Sequence, residues 1–267
     1  MQKPVLQQRP AYPIESVDNV LRLLQLLRDG GSIRLTEAAR ELETSPSTVH
    51  RLMAMLIYRG FAMQDDSRRY VAGPALGTRA IGAPWLHRLR REAQEPMEIL
   101  SSQIDETLNL VVRVGVNIRF LNSVEATQIL RIGDRTGTVI PAVGASTGKA
   151  LLACEPRALL QKLYRSQTAE LAGSALDDEQ FDHLVRELAA VRALGYATSR
   201  EETETGVGAI GTAVLSPEGK AVAGLSISVP MGRIETLFSP ERIALLMHCR
   251  DEIAEIVATI HPSSERP

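Results

Sequence analysis

Residues 35–60 read LTEAARELETSPSTVHRLMAMLIYRG, and the spacing inside this stretch decides the fold of the front of the chain. Leu35, Ala38, Ala39 and Leu42 fall at i, i+3, i+4 and i+7, one face of a short helix with Thr36 expected as its cap. Only Glu43 and Thr44 intervene before Ser45, a favoured N-cap, and Pro46, whose missing N–H costs nothing at the first helical position. Val49, Leu52, Met53 and Leu56 then supply the buried face of a second helix, closed by Arg59-Gly60. Two helices joined by so tight a turn predict a helix-turn-helix, a motif whose second helix enters the DNA major groove N-terminus first.

The flanks complete the picture. Upstream, Ser16 reads as an N-cap with Asp18 in the first turn. Val17, Val20, Leu21, Leu24 and Leu27 follow on one face, and Asp29-Gly30-Gly31 ends that helix. Downstream, Phe61–Gln64 and Arg68–Val71 bracket an Asp/Ser turn, the pattern of a β-hairpin wing. Ser47, Thr48 and Arg51 lie opposite the apolar stripe of their helix, with His50 at its flank. Hydroxyls can bond phosphates or base edges, and a guanidinium can fork onto guanine. The expected DNA-contacting set is therefore Thr36, Ser45, Pro46, Ser47, Thr48, His50 and Arg51, with Arg68 and Arg69 beside the wing tip. Two plainer alternatives stand beside it: the hydroxyls as helix caps only, and the wing arginines as a solvated hairpin edge.

Charge is distributed unevenly. Residues 1–91 carry 14 Lys and Arg against 8 Asp and Glu, whereas residues 92–267 carry 16 against 24. A basic front and an acidic back fit a polyanion that meets only the front. No apolar run is long enough for a membrane span and the N-terminus lacks an apolar signal core, so a cytoplasmic protein without membrane contact is expected. Two widely separated cysteines, Cys154 and Cys249, read as free thiols in a reducing compartment.

The back half predicts an α+β layer. An Arg-rich helix from Pro84 to Gln94 links the halves, with Pro96 a break or the start of the next helix. Strands are expected over 107–116 and 117–124 and near 196, 206 and 220, with helices from about 147, over 155–164, 178–194 and 240–260. Residues 144–150, Gly-Ala-Ser-Thr-Gly-Lys-Ala, evoke a phosphate loop. Three residues instead of four separate the glycines, and Ala150 replaces the magnesium-binding hydroxyl, so nucleotide binding is rejected. What remains is a helix start suited to a carboxylate, with Lys149 pointing to solvent in the plainer alternative. One face of the strand 207–215 carries Ala209, Gly211 and Ala213, and one face of 221–229 carries Gly224, Ser226 and Ser228. Such small residues leave room either for a ligand or for a closely packed helix.

These motifs, with Ser16-Val17-Asp18, Ser47–Leu52, Arg59-Gly60-Phe61, Thr147–Leu152, Gly195-Tyr196, Arg200-Glu201-Glu202 and Leu225–Ser228 in this order, resemble the isocitrate lyase regulator (IclR) family of transcription factors. The resemblance implies a winged helix-turn-helix domain over residues 1–82, a linker helix over 83–98, and a GAF/PAS-like α/β effector-binding domain over 99–267. It also implies a homodimer or dimer of dimers on double-stranded operator DNA, answering to a small organic acid. Matched position by position, the effector pocket falls on Ser146, Thr147, Ser199, Ala209, Ser226 and Ser228. Ser199 stands where the family commonly has an acid and Ala209 where it commonly has Cys. No cofactor, metal or catalytic residue is expected. Against a thiol enzyme on a GAF-like scaffold, Cys154 lies in an apolar helical run, and Cys249 adjoins His248 on a helix, where neighbours do not face each other. An architectural DNA binder without effector is the other alternative, and a hydroxyl-lined face argues against it.

Overall fold

The computed structural model describes residues 12, 14–30, 32–65, 67–73, 84–171 and 173–260, which divide between two compact units with a division near residue 78. The boundary expected between residues 82 and 83 lies outside the described residues.

The first unit contains α1 (Glu15–Gly30), β1 (Ser32–Ile33), α2 (Leu35–Glu41), α3 (Pro46–Tyr58), β2 (Ala62–Gln64) and β3 (Tyr70–Ala72). Leu23, Leu27, Val49 and Met53 are wholly buried between the three helices, each worth roughly 1.5–3 kcal/mol of transfer free energy. Ser45 caps α3 by accepting the Thr48 N–H at 3.2 Å, and Pro46 takes the first helical position, as the spacing requires. Thr36 is not a cap. Arg34 occupies that position, its N–H donating to Glu37 Oε2 at 2.9 Å, and Thr36 lies in the first turn. Ser16 likewise falls inside α1, which begins at Glu15. The face that α1 buries is also rotated from expectation: Asn19, Leu23 and Leu27 turn inward while Val17 and Leu21 are exposed. An apolar stripe wider than the space beneath it does not reveal which edge will be covered. The wing is three-stranded, with β3 central between β1 and β2, all antiparallel; the two-residue β1 is too short to show a period.

The second unit is a six-stranded antiparallel sheet between two helical layers. Its elements are α4 (Pro84–Glu92), α5 (Gln94–Ile104), β4 (Thr107–Val114), β5 (Asn117–Val124), β6 (Val139–Pro141), α6 (Ser146–Ala153), α7 (Arg157–Tyr164), α8 (Gln167–Leu171), α9 (Asp178–Leu194), β7 (Ala197–Arg200), β8 (Val207–Leu215), β9 (Ala221–Pro230), a 3-10 stretch (Met231–Phe238) and α10 (Pro240–Ile260). The strand order is β6-β5-β4-β9-β8-β7. Pleating sends Ala223, Leu225, Ile227 and Val229 of β9 toward α4, α5 and α10. The opposite face meets α6, α7 and α9. Pro96 explains why α4 stops at Glu92: without an N–H it cannot donate to that carbonyl, and a new helix starts at Gln94. Leu86 and Leu89 of α4 are buried in the sheet core, so α4, expected as part of a linker helix over 83–98, packs into this unit, and that expected helix is broken between Glu92 and Gln94.

Candidate functional site

In the first unit, α3 turns an apolar side inward and its first turn outward. Ser45, Pro46, Ser47, His50 and Arg51 are exposed and Thr48 is half-buried. The Ser45 hydroxyl lies 2.9 Å from those of both Ser47 and Thr48, so cap and candidate contact residues form one hydroxyl cluster at the helix start. A hydroxyl has one donor and two acceptor sites, so Ser45, with three partners, is filled, and the capacity for an outside partner lies on Ser47 and Thr48. Thr36 is exposed on α2.

The two wing arginines have different surroundings. Arg68 is exposed at the tip with φ of 59°. Arg69 reaches back into the unit: its Nε donates to Ser32 Oγ at 2.9 Å, an Nη donates to the Ser32 carbonyl at 3.2 Å, and Glu37 lies 3.6 Å away. Arg69 thus ties the wing to β1 and α2, and part of its donor capacity is already engaged. The turn is held by Asp65, which accepts from the Ser67 and Arg69 N–H groups; those bonds hold its carboxyl below the usual range, the Arg69 bond most.

In the second unit, Ser146, Thr147, Ser199, Ala209, Ser226 and Ser228 line one cavity. Cross-strand register aligns them: Ser199 pairs with Ala209, Ala209 with Ser228, and Gly211 with Ser226. The N-terminus of α6 supplies Ser146 and Thr147. The glycines of the small-residue face seat a closely packed helix, and its other small residues line a cavity. A Cβ on Gly211 would meet Thr147 N at 2.7 Å, and one on Gly224 would meet Thr147 Cβ at 3.1 Å, so the glycines seat α6 directly on β8 and β9. Ala209, Ser226 and Ser228 border open space instead. Its volume is about 20 Å³, room for a single water.

Several lining groups were not legible in the sequence. Ile118, Phe120, Ile140 and Val207 form an apolar wall, while Arg135 and Thr203 add polar groups. Asn109, fully buried, donates to Ser228 Oγ at 3.0 Å and accepts from Ser123 Oγ at 2.7 Å. Ser123 Oγ in turn accepts the Arg135 N–H at 3.1 Å. Arg135 gave no signal because residues 125–138 have no period.

Lys149 does not point to solvent. It is fully buried, with Nζ 2.6 Å from Glu187 Oε1 and 2.7 Å from Glu202 Oε2. Cys154 is not a core thiol as its apolar run suggests but lies exposed at the end of α6, whereas Cys249 is buried; desolvation raises both thiols above the usual value, Cys249 up to about 12. Among the described residues no three His, Cys, Asp or Glu side chains are grouped to hold a metal ion, and no helix is long and apolar enough to cross a membrane.

With this geometry in place, similarity to known proteins is informative. The profile of the IclR helix-turn-helix domain matches residues 16–66, and that of the bacterial transcriptional regulator IclR C-terminal domain matches residues 86–255. The HTH-type transcriptional regulator BhcR of Paracoccus denitrificans is 31% identical over 83% of this chain and 79% of its own. A transcriptional regulator from Rhodococcus sp. RHA1 has a similar solved structure, with TM-score 0.55, 26% identity, and coverage of 93% of this chain and 99% of that one. An IclR homologue from Microbacterium hydrocarbonoxydans, solved in complex with 4-hydroxybenzoate, shares the fold at TM-score 0.56 and 20% identity, covering 91% and 99% of the two chains.

Proposed function

The chain belongs to the IclR family of bacterial transcriptional regulators, and from that premise we propose that it binds an operator through α3 and releases or holds it in response to a small organic acid. The observation that carries the reading is a pair of complementary features: an exposed Ser47–His50–Arg51 surface on a helix anchored by its other side, and a hydroxyl-lined cavity beneath α6. Residues 1–82 are assigned to DNA binding, 83–98 to the linker helix and 99–267 to effector binding.

Ser45, Pro46, Ser47 and Thr48 face phosphates at the start of α3, His50 and Arg51 face base edges, and Thr36 and Arg68 flank them. Arg69 acts mainly by positioning the wing. Operator-binding dimers present two recognition helices about one helical turn apart, roughly 34 Å, so the protein works as a homodimer or dimer of dimers. The effector acts only through unequal affinity for DNA-competent and DNA-poor arrangements. Contiguity supports a path out of the cavity: Phe120 lines it and also lines a cleft of about 140 Å³ against Leu86, His87 and Arg90 of α4. Placement beside the chromosome in the cytoplasm follows from this role. The raised thiols favour a binding protein over a thiol enzyme.

Three experiments test the reading. Arg51→Ala weakens binding to a fragment of the protein's own promoter by about 1–3 kcal/mol and relaxes base preference, as expected for a bidentate contact. Wild-type affinity falls steeply between low and physiological salt; unchanged preference in the variant together with a flat salt response refutes the DNA interface. Replacing Ser226 and Ser228 by valine abolishes the acid-induced change in DNA affinity and spares DNA binding itself. A response retained in that variant, read by electrophoretic mobility shift, discards the cavity as the effector site.

A further inference from the structure

We propose that Arg135 recognises the carboxylate of the effector and that Glu204 occupies Arg135 until the effector arrives, so that the pair is a latch on the cavity. The inference deepens the effector-binding reading and rests on it.

Arg135 belongs to the irregular segment 125–138, lines the cavity, and keeps only 15% of its side chain exposed. Its guanidinium lies over the Phe120 ring, 5.8 Å from the centroid, and is ion-paired with Glu204, whose side chain is 59% exposed. Glu204 follows Thr203, which lines the same cavity from the segment joining β7 to β8. The ion pair therefore ties together two chain segments that border the cavity. At about 20 Å³ the space holds one water, so an organic ligand enters only if bordering segments part. The Arg135–Glu204 contact is one that must yield or be replaced.

The exchange is chemically balanced in favour of a ligand carboxylate. Glu204 is more than half in water, so releasing it to solvent costs little, as for surface ion pairs generally. A carboxylate entering against the largely buried guanidinium can accept two parallel N–H bonds and stays sheltered from water. Meanwhile the Arg135 backbone is fixed by Ser123, so the side chain can change partners while its main chain stays in register with Asn109 and Ser228. The surroundings specify the rest of the ligand. Phe120 lies under the Arg135 guanidinium, apolar Ile118 and Val207 also line the cavity, and so do the hydroxyls of Ser226 and Ser228. The class is a carboxylic acid on a short aliphatic or aromatic body, carrying a hydroxyl or carbonyl that reaches the serines. Its carboxylate lies at Arg135, not at the start of α6 where the sequence pattern alone directs it.

The test measures calorimetric binding of matched acids and amides to the full-length protein: propionate and propionamide, succinate and succinamide, benzoate and benzamide, 4-hydroxybenzoate and 4-hydroxybenzamide. Wild type is expected to bind at least one acid ten-fold or more tightly than its amide. Arg135→Gln removes that preference, Arg135→Lys retains part of it, and Glu204→Gln tightens acid binding several-fold by removing the competitor. Circular dichroism establishes that each variant is folded; should Arg135→Gln not fold, the graded loss in Arg135→Lys is the deciding result. An acid preference of wild-type size in Arg135→Gln overturns recognition by Arg135, as does a wild type that prefers no acid to its amide. Unchanged or weaker acid binding in Glu204→Gln overturns the latch. Failure of the effector reading is separate: it shows as an acid response that survives valine at positions 226 and 228.

Discussion

Lys149→Met lowers the stability of the protein by about 3 kcal/mol in urea unfolding, the low end of what breaking a buried ion pair costs. The ammonium is completely buried while Glu187 and Glu202 retain 32% and 40% of their side-chain exposure. Methionine fills much the same volume without the charge, so packing is largely preserved and the loss reports the electrostatics. What remains are two carboxylates converging on a vacated point, one from α9 and one from the β7–β8 segment. Because both still touch water, they relax outward in part, which keeps the loss at the lower end. Relaxation moves Glu202, next to Thr203 of the cavity wall, so the acid response of the variant weakens as well. Adding Glu187→Gln and Glu202→Gln to Lys149→Met recovers much of the stability by removing the repulsion. A loss under 1 kcal/mol in the single variant shows that the triad contributes nothing.

Gly148→Ala is expected to be about as damaging, roughly 3 kcal/mol, the upper part of the range for overpacked sites. In an ordinary helix the change would gain up to about 1 kcal/mol of propensity. Here an added Cβ stands 2.1 Å from the Ala142 carbonyl oxygen and 2.6 Å from Ala142 Cα, and both belong to backbone that no rotamer change can move. Either α6 lifts off β8 and β9 or the 142–145 turn shifts, and each opens the cavity wall formed by Ser146 and Thr147. Gly133→Ala and Gly232→Ala, where nothing lies within 4 Å, serve as controls and change stability by no more than about 0.5 kcal/mol. A thermal midpoint for Gly148→Ala equal to those controls refutes the close approach.

These two substitutions give the Gly148-Lys149 pair its meaning. The sequence shows a glycine and a lysine near a helix start, a pattern that superficially suits phosphate. In the folded chain the glycine admits Ala142 and the lysine closes a buried triad.

Local pattern was enough for much of the rest. Ser45-Pro46 and the stripe Val49–Met53–Leu56 determined α3 because capping and helical periodicity act within a few residues. Alternation determined β8 and β9, and with them the shared face of Ala209, Ser226 and Ser228. Family resemblance added Ser199 and the α6 residues that complete the cavity. Where an apolar pattern was broader than its cover, as in α1, periodicity gave the helix and missed its buried face.

Tertiary structure alone decided the fates of the long charged side chains. Arg69 found Ser32 across 37 positions, Lys149 found Glu187 and Glu202 across 38 and 53, and Arg135 found Glu204 across 69. A flexible charged side chain is compatible with almost any local pattern, and its partner is set by which segments the sheet and helices bring together. The order of residues thus determined which elements form and which faces they offer. Chain closure determined which charges are buried, which are engaged, and which cation looks into the cavity.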